Sequence, residues 1–363
     1  MRVVVGLSGG VDSAVAALLL RSAGEDVAGM FMQNWEDDEP DSACRADEDR
    51  KDALAVCAKL GIPFHARNFS AEYSERVFAH FLSEYRAGRT PNPDVLCNRE
   101  IKFHTFLGAA RELGAEKIAT GHYARIEHSD GRWKLRRAGD ADKDQTYFLH
   151  TLDQVQLGAA LFPLGGVRKP QVRALARDAG FAVHDKKDST GICFIGERDF
   201  RAFLSKYLPA QPGELRTPEG EMLGEHRGAM FYTPGQRTGL RIGGRAGSGG
   251  EPWYVVGKDV RRNLVYVAQG ARNRWLMSQT LLAENVNWIA GEIPVLPLRC
   301  EAMVRYRQIP QACTMEPTDN GINVRFEEMQ RAVAPGQSVV FYAGDECLGG
   351  GVIQWADAPG IAP

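Results

Sequence analysis

The first half of the chain alternates between short apolar runs and stretches that have apolar residues at helical spacing. The run from Arg2 to Val5 predicts a buried parallel strand, and the stretch from Val11 to Ala23 predicts a helix that ends at Gly24. The alternation continues, with strands predicted at 26–32, 62–66 and 117–120 and helices at 47–60, 71–87, 101–113 and 169–179. Strands that alternate with helices indicate an α/β fold with a doubly wound parallel sheet, in which ligands bind at the carboxyl ends of the strands.

The second half of the chain follows a different pattern. Residues 124–137 predict a hairpin that turns at Asp130-Gly131, and beyond about Leu204 short β-rich runs replace the helices. Seven glycines among residues 235–250 predict a mobile loop or linker. We therefore expect three domains, namely a catalytic α/β domain at 1–203, a small β-rich central domain at 204–274 and a β-barrel-like domain at 275–363.

Composition narrows the class of protein. A chain of 363 residues with 44% hydrophobic and 25% charged residues is typical of a soluble globular protein. No apolar run approaches the roughly 20 residues of a membrane helix. The first residues also enter a core strand directly, so we expect no signal peptide and a cytoplasmic location. Seven cysteines without a Cys-x-x-Cys pair argue against a zinc knuckle or a disulfide scaffold.

Charge is distributed unevenly along the chain. The formal net charge of −2 gives no indication of nucleic-acid binding. Residues 200–280, however, carry twelve Lys and Arg against six Asp and Glu. This basic segment is a candidate for contact with a nucleic-acid backbone.

The turn between the first strand and the first helix has the composition of a phosphate-binding loop. It reads Gly6-Leu7-Ser8-Gly9-Gly10-Val11-Asp12-Ser13. Glycines let a backbone approach an anion closely, and the first N–H groups of the helix point toward it. Neither a Walker A loop nor a dinucleotide fingerprint is present. The loop is similar to the PP-loop of the N-type ATP pyrophosphatases, where Asp12 would contact Mg²⁺ held on the phosphates. The alternative is an ordinary strand-to-helix turn in which Asp12 only favours the helix dipole.

Two further segments offer candidate chemistry. Residues Thr90 to Asn98 contain two prolines, which predict a stiff loop that presents Asp94 and Cys97. Residues 188–196 predict a second loop that presents Cys193. A catalytic thiol requires access and a lowered pKa, which loops near cationic groups provide. The alternative for each thiol is a packed core cysteine. The remaining cysteines are interpreted as structural: Cys44, Cys57, Cys300, Cys313 and Cys347.

Taken together, these segments resemble the tRNA-specific 2-thiouridylases, enzymes that place sulfur at C2 of the wobble uridine of tRNA. The resemblance extends from Gly6 to about Trp355. Besides the loop, it rests on Phe31-Met32-Gln33-Asn34-Trp35, Thr90 to Phe103, Gly121-His122-Tyr123-Ala124-Arg125, Lys143-Asp144-Gln145, Asp188 to Arg198, Pro234-Gly235-Gln236-Arg237, Arg305-Tyr306 and Pro335-Gly336-Gln337. The PP-loop alone occurs in many adenylating enzymes, whereas the two cysteine segments make the resemblance specific.

The resemblance implies a reaction and the residues for it. ATP would lie on Gly6–Ser13, with its adenine and ribose near Met32 and Gly121. The C2 oxygen of the uridine would attack the α-phosphorus and release pyrophosphate. Cys193 would carry a persulfide, and its terminal sulfur, or sulfide released from it, would attack C2 and expel AMP. Cys97 would act as the nucleophile that closes a transient Cys97–Cys193 disulfide. Asn92-Pro93-Asp94, in the same segment as Cys97, would hold the flipped base, with Asp94 as acid and base.

The resemblance also implies contacts with tRNA. They are Lys143, Asp144, Gln145, His122, Arg305, Tyr306 and Gln337, together with the basic segment 200–280. The alternatives are a solvated surface pair for Lys143 and Asp144 and an ordinary core histidine for His122. The implied partners are tRNAs with Lys, Glu or Gln anticodons and a sulfur-relay donor protein, and the implied cofactors are ATP and Mg²⁺.

One residue departs from the family pattern. Many members have Lys where this chain has Gln33, so cationic assistance to the nucleotide is missing there.

Two other functions compete with thiolation. A PP-loop ligase or amidotransferase would have no use for the paired cysteines, and a non-catalytic tRNA-binding module would form no pyrophosphate.

Overall fold

The structure is a computed structural model that describes residues 1–36, 40–188, 200–243 and 250–359. The strands, numbered in chain order, are β1 Arg2–Leu7, β2 Asp26–Gln33, β3 Phe64–Asn68, β4 Lys117–Ala119, β5 Arg125–Ser129, β6 Arg132–Arg136, β7 Ala160–Leu161, β8 Gly213–Arg216, β9 Met222–His226, β10 Trp253–Asp259, β11 Leu264–Gln269, β12 Met277–Trp288, β13 Leu298–Met303, β14 Gln311–Thr318, β15 Gly321–Arg331, β16 Ser338–Ala343 and β17 Glu346–Ala356.

The α-helices are α1 Val11–Ser22, α2 Pro40–Leu60, α3 Ser70–Tyr73, α4 Ala79–Arg86, α5 Pro93–Leu96, α6 Phe106–Glu112, α7 Thr146–Leu149, α8 Gln154–Ala159, α9 Lys169–Asp178 and α10 Phe200–Ser205. Two π-helical segments, Ser74–Phe78 and Cys97–Thr105, continue α3 and α5 into the helices that follow them. Short 3₁₀ helices lie at Ala182–Asp185, Ala229–Phe231 and Arg274–Leu276.

The amino-terminal part contains a five-stranded parallel sheet in the order β3-β2-β1-β4-β7. Val3, Val5 and Leu7 of the central strand belong to one apolar cluster with α1 and α9, whereas Val4 belongs to a second cluster with α4 and α6. Both faces of the sheet are therefore covered, which is why β1 and the middle of β2 are apolar, whereas the edge strand β3 is partly exposed. The predicted doubly wound α/β fold is confirmed.

The segment from Asn92 to Asn98 corrects one expectation. Its prolines predicted a loop, but Pro93 stands in the first turn of α5, and the Asn92 side chain accepts a hydrogen bond from the Asp94 N–H at 3.2 Å. Proline is favourable at this position because the first helical N–H groups have no partner within the helix. Asp94 and Cys97 thus lie on the first turns of a helix that runs to Glu112.

Two element boundaries also differ from the predictions. The second helix begins at Pro40 instead of Asp47, and the third strand begins at Phe64 instead of Ile62. The hairpin that turns at Asp130-Gly131 is confirmed, and both turn residues have positive φ.

The carboxyl-terminal part is a closed barrel. Its strands follow the order β12-β15-β14-β13-β16-β17, and a pairing of β12 with β17 closes the sheet. The hairpin β5–β6 extends this sheet, since Arg136 and Leu135 pair with Glu346 and Cys347 at the start of β17. The amino-terminal and carboxyl-terminal parts therefore share a sheet.

The central part is small and β-rich, as predicted. It has four strands in the order β10-β11-β8-β9. Of the glycine-rich segment predicted at 235–250, residues 244–249 lie outside the described residues.

Candidate functional site

The loop between β1 and α1 requires glycine. Gly9 has a φ of 73°, in the left-handed region. A Cβ built there would lie 2.5 Å from the carbonyl oxygen of Asp49 on α2. In the part of the chain that the structure describes, α1 begins without a side-chain cap. Its first N–H groups are thus available to an anion.

The two serine hydroxyls shape this loop from within. The Ser13 hydroxyl donates to the Gly10 carbonyl at 3.0 Å and accepts from the Ser8 N–H at 3.2 Å. The two hydroxyl oxygens lie 3.3 Å apart. In this conformation both hydroxyls therefore hold the loop in shape.

Asp12 is neutralised by a lysine that the sequence analysis did not single out. Lys169, at the start of α9, donates from its ammonium to both carboxylate oxygens of Asp12 at 2.8 Å. The Tyr123 hydroxyl also donates to Asp12, at 2.7 Å. Burial and the adjacent Asp12 charge raise the pKa of Tyr123, so this hydroxyl stays protonated.

The same ammonium reaches a second carboxylate. Lys169 lies 2.7 Å from Asp188, which also accepts from Lys143 at 2.7 Å and contacts Arg173 at 3.1 Å. Burial alone would raise the pKa of Asp188, but the hydrogen bonds from the two lysines outweigh it and lower that pKa to about 2. Lys169 therefore joins the loop residue Asp12 to the base of the segment that carries Cys193.

A second lysine ties the loop to the same segment. Lys186 donates to the Gly9 carbonyl at 3.0 Å, to Asp49 at 2.7 Å and to Asp52 at 2.6 Å. Burial opposes its charge, but the two carboxylates raise its pKa overall. Residues 189–199, including Cys193, lie outside the described residues.

The sequence contains only a weak indication that these two lysines belong to the site. A cation at a helix amino terminus is unfavourable, so Lys169 as the first residue of α9 indicates a buried anionic partner. Lys186 lies two residues before the start of the predicted Cys193 segment. The partners Asp12 and Asp49 could not be identified from sequence spacing, because each lies more than a hundred residues from its lysine in the chain.

The remaining predicted nucleotide residues gather at the same sheet edge. A Cβ on Gly6 would lie 2.9 Å from the terminal methyl of Met32, and one on Gly121 would lie 2.8 Å from the backbone of Asp12 and Ser13. Close approach of the backbone therefore explains Gly121, whereas beside Gly6 the space is taken by the Met32 side chain. Gln33, at the end of β2, donates to Glu36 at 3.3 Å.

His122 lies beside this edge but faces inward. It is 8% exposed, contacts the rings of Phe103 and Phe162, and has its Nδ1 2.7 Å from the Thr120 hydroxyl. Burial, with a further contribution from Lys102, lowers its pKa well below the usual value, so the ring is neutral. Its packing here is that of a core histidine, and the predicted tRNA contact would require it to be uncovered.

The start of the 93–112 helix presents the other predicted catalytic groups. Burial raises the pKa of Asp94, and the charge of Lys102 partly opposes this. Cys97 is only 1% exposed and belongs to the main apolar cluster. The access expected for a loop thiol is therefore absent in this conformation, because the residue lies on a helix that packs into the core.

Three parts of the chain meet around a cavity of about 390 Å³. Its wall combines Thr90, residues 233–236, Arg305 and Gln337. Arg305 donates to the carbonyls of Pro234 at 2.8 Å and Ala332 at 2.7 Å, and Gln337 donates to the carbonyl of Thr90 at 2.7 Å. Two predicted tRNA residues thus also join the domains.

Other predicted tRNA residues have internal partners as well. Asp144 is 6% exposed and accepts from the Ala138 N–H at 2.9 Å and the Thr146 hydroxyl at 2.8 Å. The side-chain Oε1 of Gln145 accepts from the Tyr123 N–H at 3.0 Å. The Tyr306 ring lies 4.4 Å from that of Phe148.

Metal and membrane features are limited in the described ranges. There, no three His, Cys, Asp or Glu side chains are grouped as a metal site would need. Within the same ranges, no helix is both long and apolar enough to cross a bilayer.

Comparisons with known proteins agree with this architecture. Family models match three consecutive parts: a tRNA methyl transferase HUP domain at 1–197, a tRNA methyl transferase PRC-barrel domain at 201–269 and an aminomethyltransferase β-barrel domain at 278–353.

Among solved structures, an NMN synthetase from Francisella tularensis is 19% identical with a TM-score of 0.32, covering 52% of this chain and 66% of its own. A 4-thiouridine synthetase in complex with RNA and ATP is 19% identical with a TM-score of 0.34, covering 56% and 49%.

Full-length relatives are much more similar. The tRNA-specific 2-thiouridylase MnmA of Xanthomonas euvesicatoria is 58% identical over 99% of this chain and 95% of its own length. The protein of the same name from Stenotrophomonas maltophilia is 58% identical over 99% and 94%. The chain therefore belongs to the tRNA-specific 2-thiouridylase family.

Proposed function

We propose that this protein is a tRNA-uridine 2-sulfurtransferase, which uses ATP to convert the wobble uridine of tRNA to 2-thiouridine and releases AMP and pyrophosphate. Family membership supports the overall reaction. The observation that carries the proposal is the pair of lysines, Lys169 and Lys186, that hold the phosphate-binding loop against the base of the Cys193 segment. A loop for ATP and a cysteine for sulfur would then work side by side.

The first step is activation of the base. ATP binds on Gly6–Ser13, with its adenine and ribose near Met32 and Gly121. The C2 oxygen of the uridine attacks the α-phosphorus, which forms an adenylated base and expels pyrophosphate. The amino terminus of α1 stabilises the negative charge on the phosphates.

Mg²⁺ would assist by neutralising phosphate charge. Phosphate oxygens would supply most of its ligands, since in the described ranges no cluster of protein ligands is present. Asp12 is the candidate protein ligand, and it would have to exchange Lys169 for the ion.

The second step transfers sulfur. A persulfide on Cys193, received from a sulfur-relay protein, attacks C2 through its terminal sulfur and expels AMP. The Cys97 thiolate then attacks the sulfur of Cys193 and breaks its bond to the transferred sulfur. This leaves 2-thiouridine and a Cys97–Cys193 disulfide, which an external thiol reductant reopens. Because Cys97 is 1% exposed in this conformation, it would become accessible when tRNA binds.

Asp94 is suited to move protons in these steps. Because its pKa is raised, the Asp94 carboxyl stays protonated up to a higher pH than the carboxyl of an exposed aspartate. It lies one turn before Cys97 on the same helix, next to Asn92 and Pro93, which would hold the flipped base.

Binding of tRNA would involve all three parts of the chain, divided at 203/204 and 274/275. Arg305 and Gln337 border the cavity beside Thr90, and Tyr306 follows Arg305 in the chain. Lys143 contacts Asp188, and Gln145 contacts Tyr123, which donates to Asp12 of the loop. The basic segment 200–280 would contact the tRNA backbone. We expect tRNAs with Lys, Glu or Gln anticodons as substrates and a cytoplasmic location.

The direct test uses unmodified transcripts of those tRNAs. The protein is incubated with transcript, ATP, Mg²⁺ and a persulfide donor, and the RNA is digested to nucleosides for mass analysis. We expect 2-thiouridine that depends on ATP and is absent with Cys193→Ser. A methylated nucleoside formed from S-adenosylmethionine, without a thiolated one, would contradict the proposal and favour the activity named in the family models.

A further inference from the structure

Two cysteines of the barrel face each other across neighbouring strands. Cys300 on β13 and Cys313 on β14 are direct partners in the antiparallel register. Their sulfur atoms lie 3.6 Å apart. Directly opposed residues in an antiparallel pair have backbones at the separation that a disulfide spans, so rotation about the side-chain bonds can bring the two sulfurs together.

The two thiols differ in access. Cys300 is partly exposed, whereas Cys313 is 2% exposed in the barrel core. The neighbouring Cys300 thiol, and then burial, raise the pKa of Cys313. Cys300 is therefore the thiol that a small reagent reaches first, and Cys313 is placed to react second with the product.

The pair lies at the base of a candidate tRNA-binding segment. Residues 304–310 join β13 to β14 and include Arg305 and Tyr306. The ladder ends at the pair Ala302 and Gln311, two positions beyond the cysteines. A covalent bond between the cysteines would therefore close this segment into a small ring.

We propose that Cys300 and Cys313 form a reversible disulfide site that a low-molecular-weight disulfide oxidises. The Cys300 thiolate attacks one sulfur of the oxidant, breaks its S–S bond and releases one thiolate. The Cys313 thiol then loses its proton and attacks the mixed disulfide at Cys300, which releases the second thiol. Two protein thiols are oxidised and one small disulfide is reduced to two thiols.

Oxidation would also change tRNA binding, a consequence that rests on the proposed function. The bond shortens the sulfur separation from 3.6 Å to about 2.05 Å. The bond fixes β13 to β14 directly below Arg305, so the segment 304–310 can no longer shift its position when tRNA contacts the Arg305 guanidinium, which is bonded to the carbonyls of Pro234 and Ala332. We expect the oxidised form to bind tRNA more weakly by about fivefold or more.

The test for the bond uses the full chain with Cys97→Ser and Cys193→Ser, which removes the other proposed pair. After treatment with oxidised glutathione, a non-reducing digest should contain a peptide joined through Cys300 and Cys313. The added Cys300→Ser substitution should abolish it, whereas Cys347→Ser, at another buried barrel cysteine, should leave it unchanged. If Cys300→Ser fails to fold, loss of alkylation at both cysteines in the parent protein serves instead. Glutathione retained on Cys300, or two unreacted thiols, would overturn the site.

The test for the effect compares tRNA affinity before oxidation, after it and after dithiothreitol. Weaker binding that the reductant restores is expected, and equal affinities with the bond present would overturn the effect. If the reduced protein does not bind tRNA, the proposed function fails, while the digest still decides whether the disulfide site exists.

Discussion

At the scale of single residues, the site depends on a lysine that is held between two partly exposed carboxylates. Lys169 lies between Asp12 and Asp188, and its side chain is 10% exposed. Removing one partner of such a group leaves the others uncompensated, which costs more than the loss of one hydrogen bond. Lys169 therefore offsets the negative charge of Asp12 and Asp188, which would otherwise repel a polyphosphate bound nearby.

Lys169→Met should weaken ATP binding. Without the ammonium, Asp12 and Asp188 repel the phosphates, and we expect the Kd for ATP to rise about tenfold or more. Isothermal titration with ATP measures this. Lys187→Met is the matched control, since Lys187 is exposed and adjacent to the same segment. Equal affinity for ATP in Lys169→Met and the parent protein would contradict this role.

Cys97→Ser should stop turnover with a persulfide donor. We expect a rate at least about 100-fold lower because no thiolate remains to attack the Cys193 sulfur. Cys57→Ser is the control, because Cys57 is also 1% exposed in the amino-terminal part and burial raises its pKa to about 11. Circular dichroism checks that both variants fold. Turnover by a folded Cys97→Ser at the parent rate would exclude the proposed nucleophile.

At the scale of elements, the carboxyl edge of the parallel sheet brings the predicted nucleotide residues together. The strand ends of β1, β2 and β4 place the loop, Met32 and Gly121 side by side. The last residues before the Cys193 segment are attached to this edge by ion pairs. The contribution of these ion pairs to the stability of the protein therefore depends on pH.

Asp188→Asn should destabilise the protein in a pH-dependent way. The pKa of Asp188 is lowered from 3.8 to about 2. Its contribution is therefore fully present above pH 4 and is lost as the pH falls through about 2. The carboxylate is 31% exposed, so we expect about 1–2 kcal/mol at pH 7. Urea unfolding of both proteins at several pH values measures the difference, and a difference that is constant from pH 7 to pH 2.5 would contradict this assignment.

Local sequence signals predicted much of this arrangement. Apolar runs identified the central strands, and Gly24, Gly61, Gly88 and Gly114 mark helix ends where the backbone has positive φ. The start of the 93–112 helix was mispredicted, because Pro93 favours a first helical turn as readily as it breaks a helix interior.

Long-range partners were out of reach of the sequence. The pairing of β6 with β17 joins residues more than two hundred positions apart, and nothing in either strand specifies the other. The partners of Lys169 and Lys186 and the burial of Cys97 depend likewise on how distant elements pack. The nucleotide loop was predictable because all of its residues are contiguous.

At the scale of the whole molecule, three parts are joined around the cavity beside Thr90. The hydrogen bonds of Arg305 and Gln337 connect the barrel to the central part and to the segment that leads into α5. These hydrogen bonds would position a tRNA that contacts all three parts relative to Asp94 and Cys97.

Affinity for tRNA should fall steeply with salt. Each phosphate contact contributes about 0.7 to 0.9 to the slope of log affinity against log salt. Arg261 and Arg262 are exposed in the basic segment, so replacing both with Ser should reduce the slope by about 1 to 2. Arg21→Ser, on the exposed end of α1, should leave it unchanged. An unchanged slope in the double variant would place the backbone contacts elsewhere.

The reaction itself is tested most directly in water labelled with ¹⁸O. If the C2 oxygen of uridine attacks ATP, that oxygen leaves with AMP, and solvent oxygen does not enter the product. We expect 2-thiouridine, AMP and pyrophosphate in equal amounts, with AMP free of ¹⁸O by mass spectrometry. AMP that carries solvent oxygen, or ADP and phosphate in its place, would contradict ATP-dependent thiolation through an adenylated base.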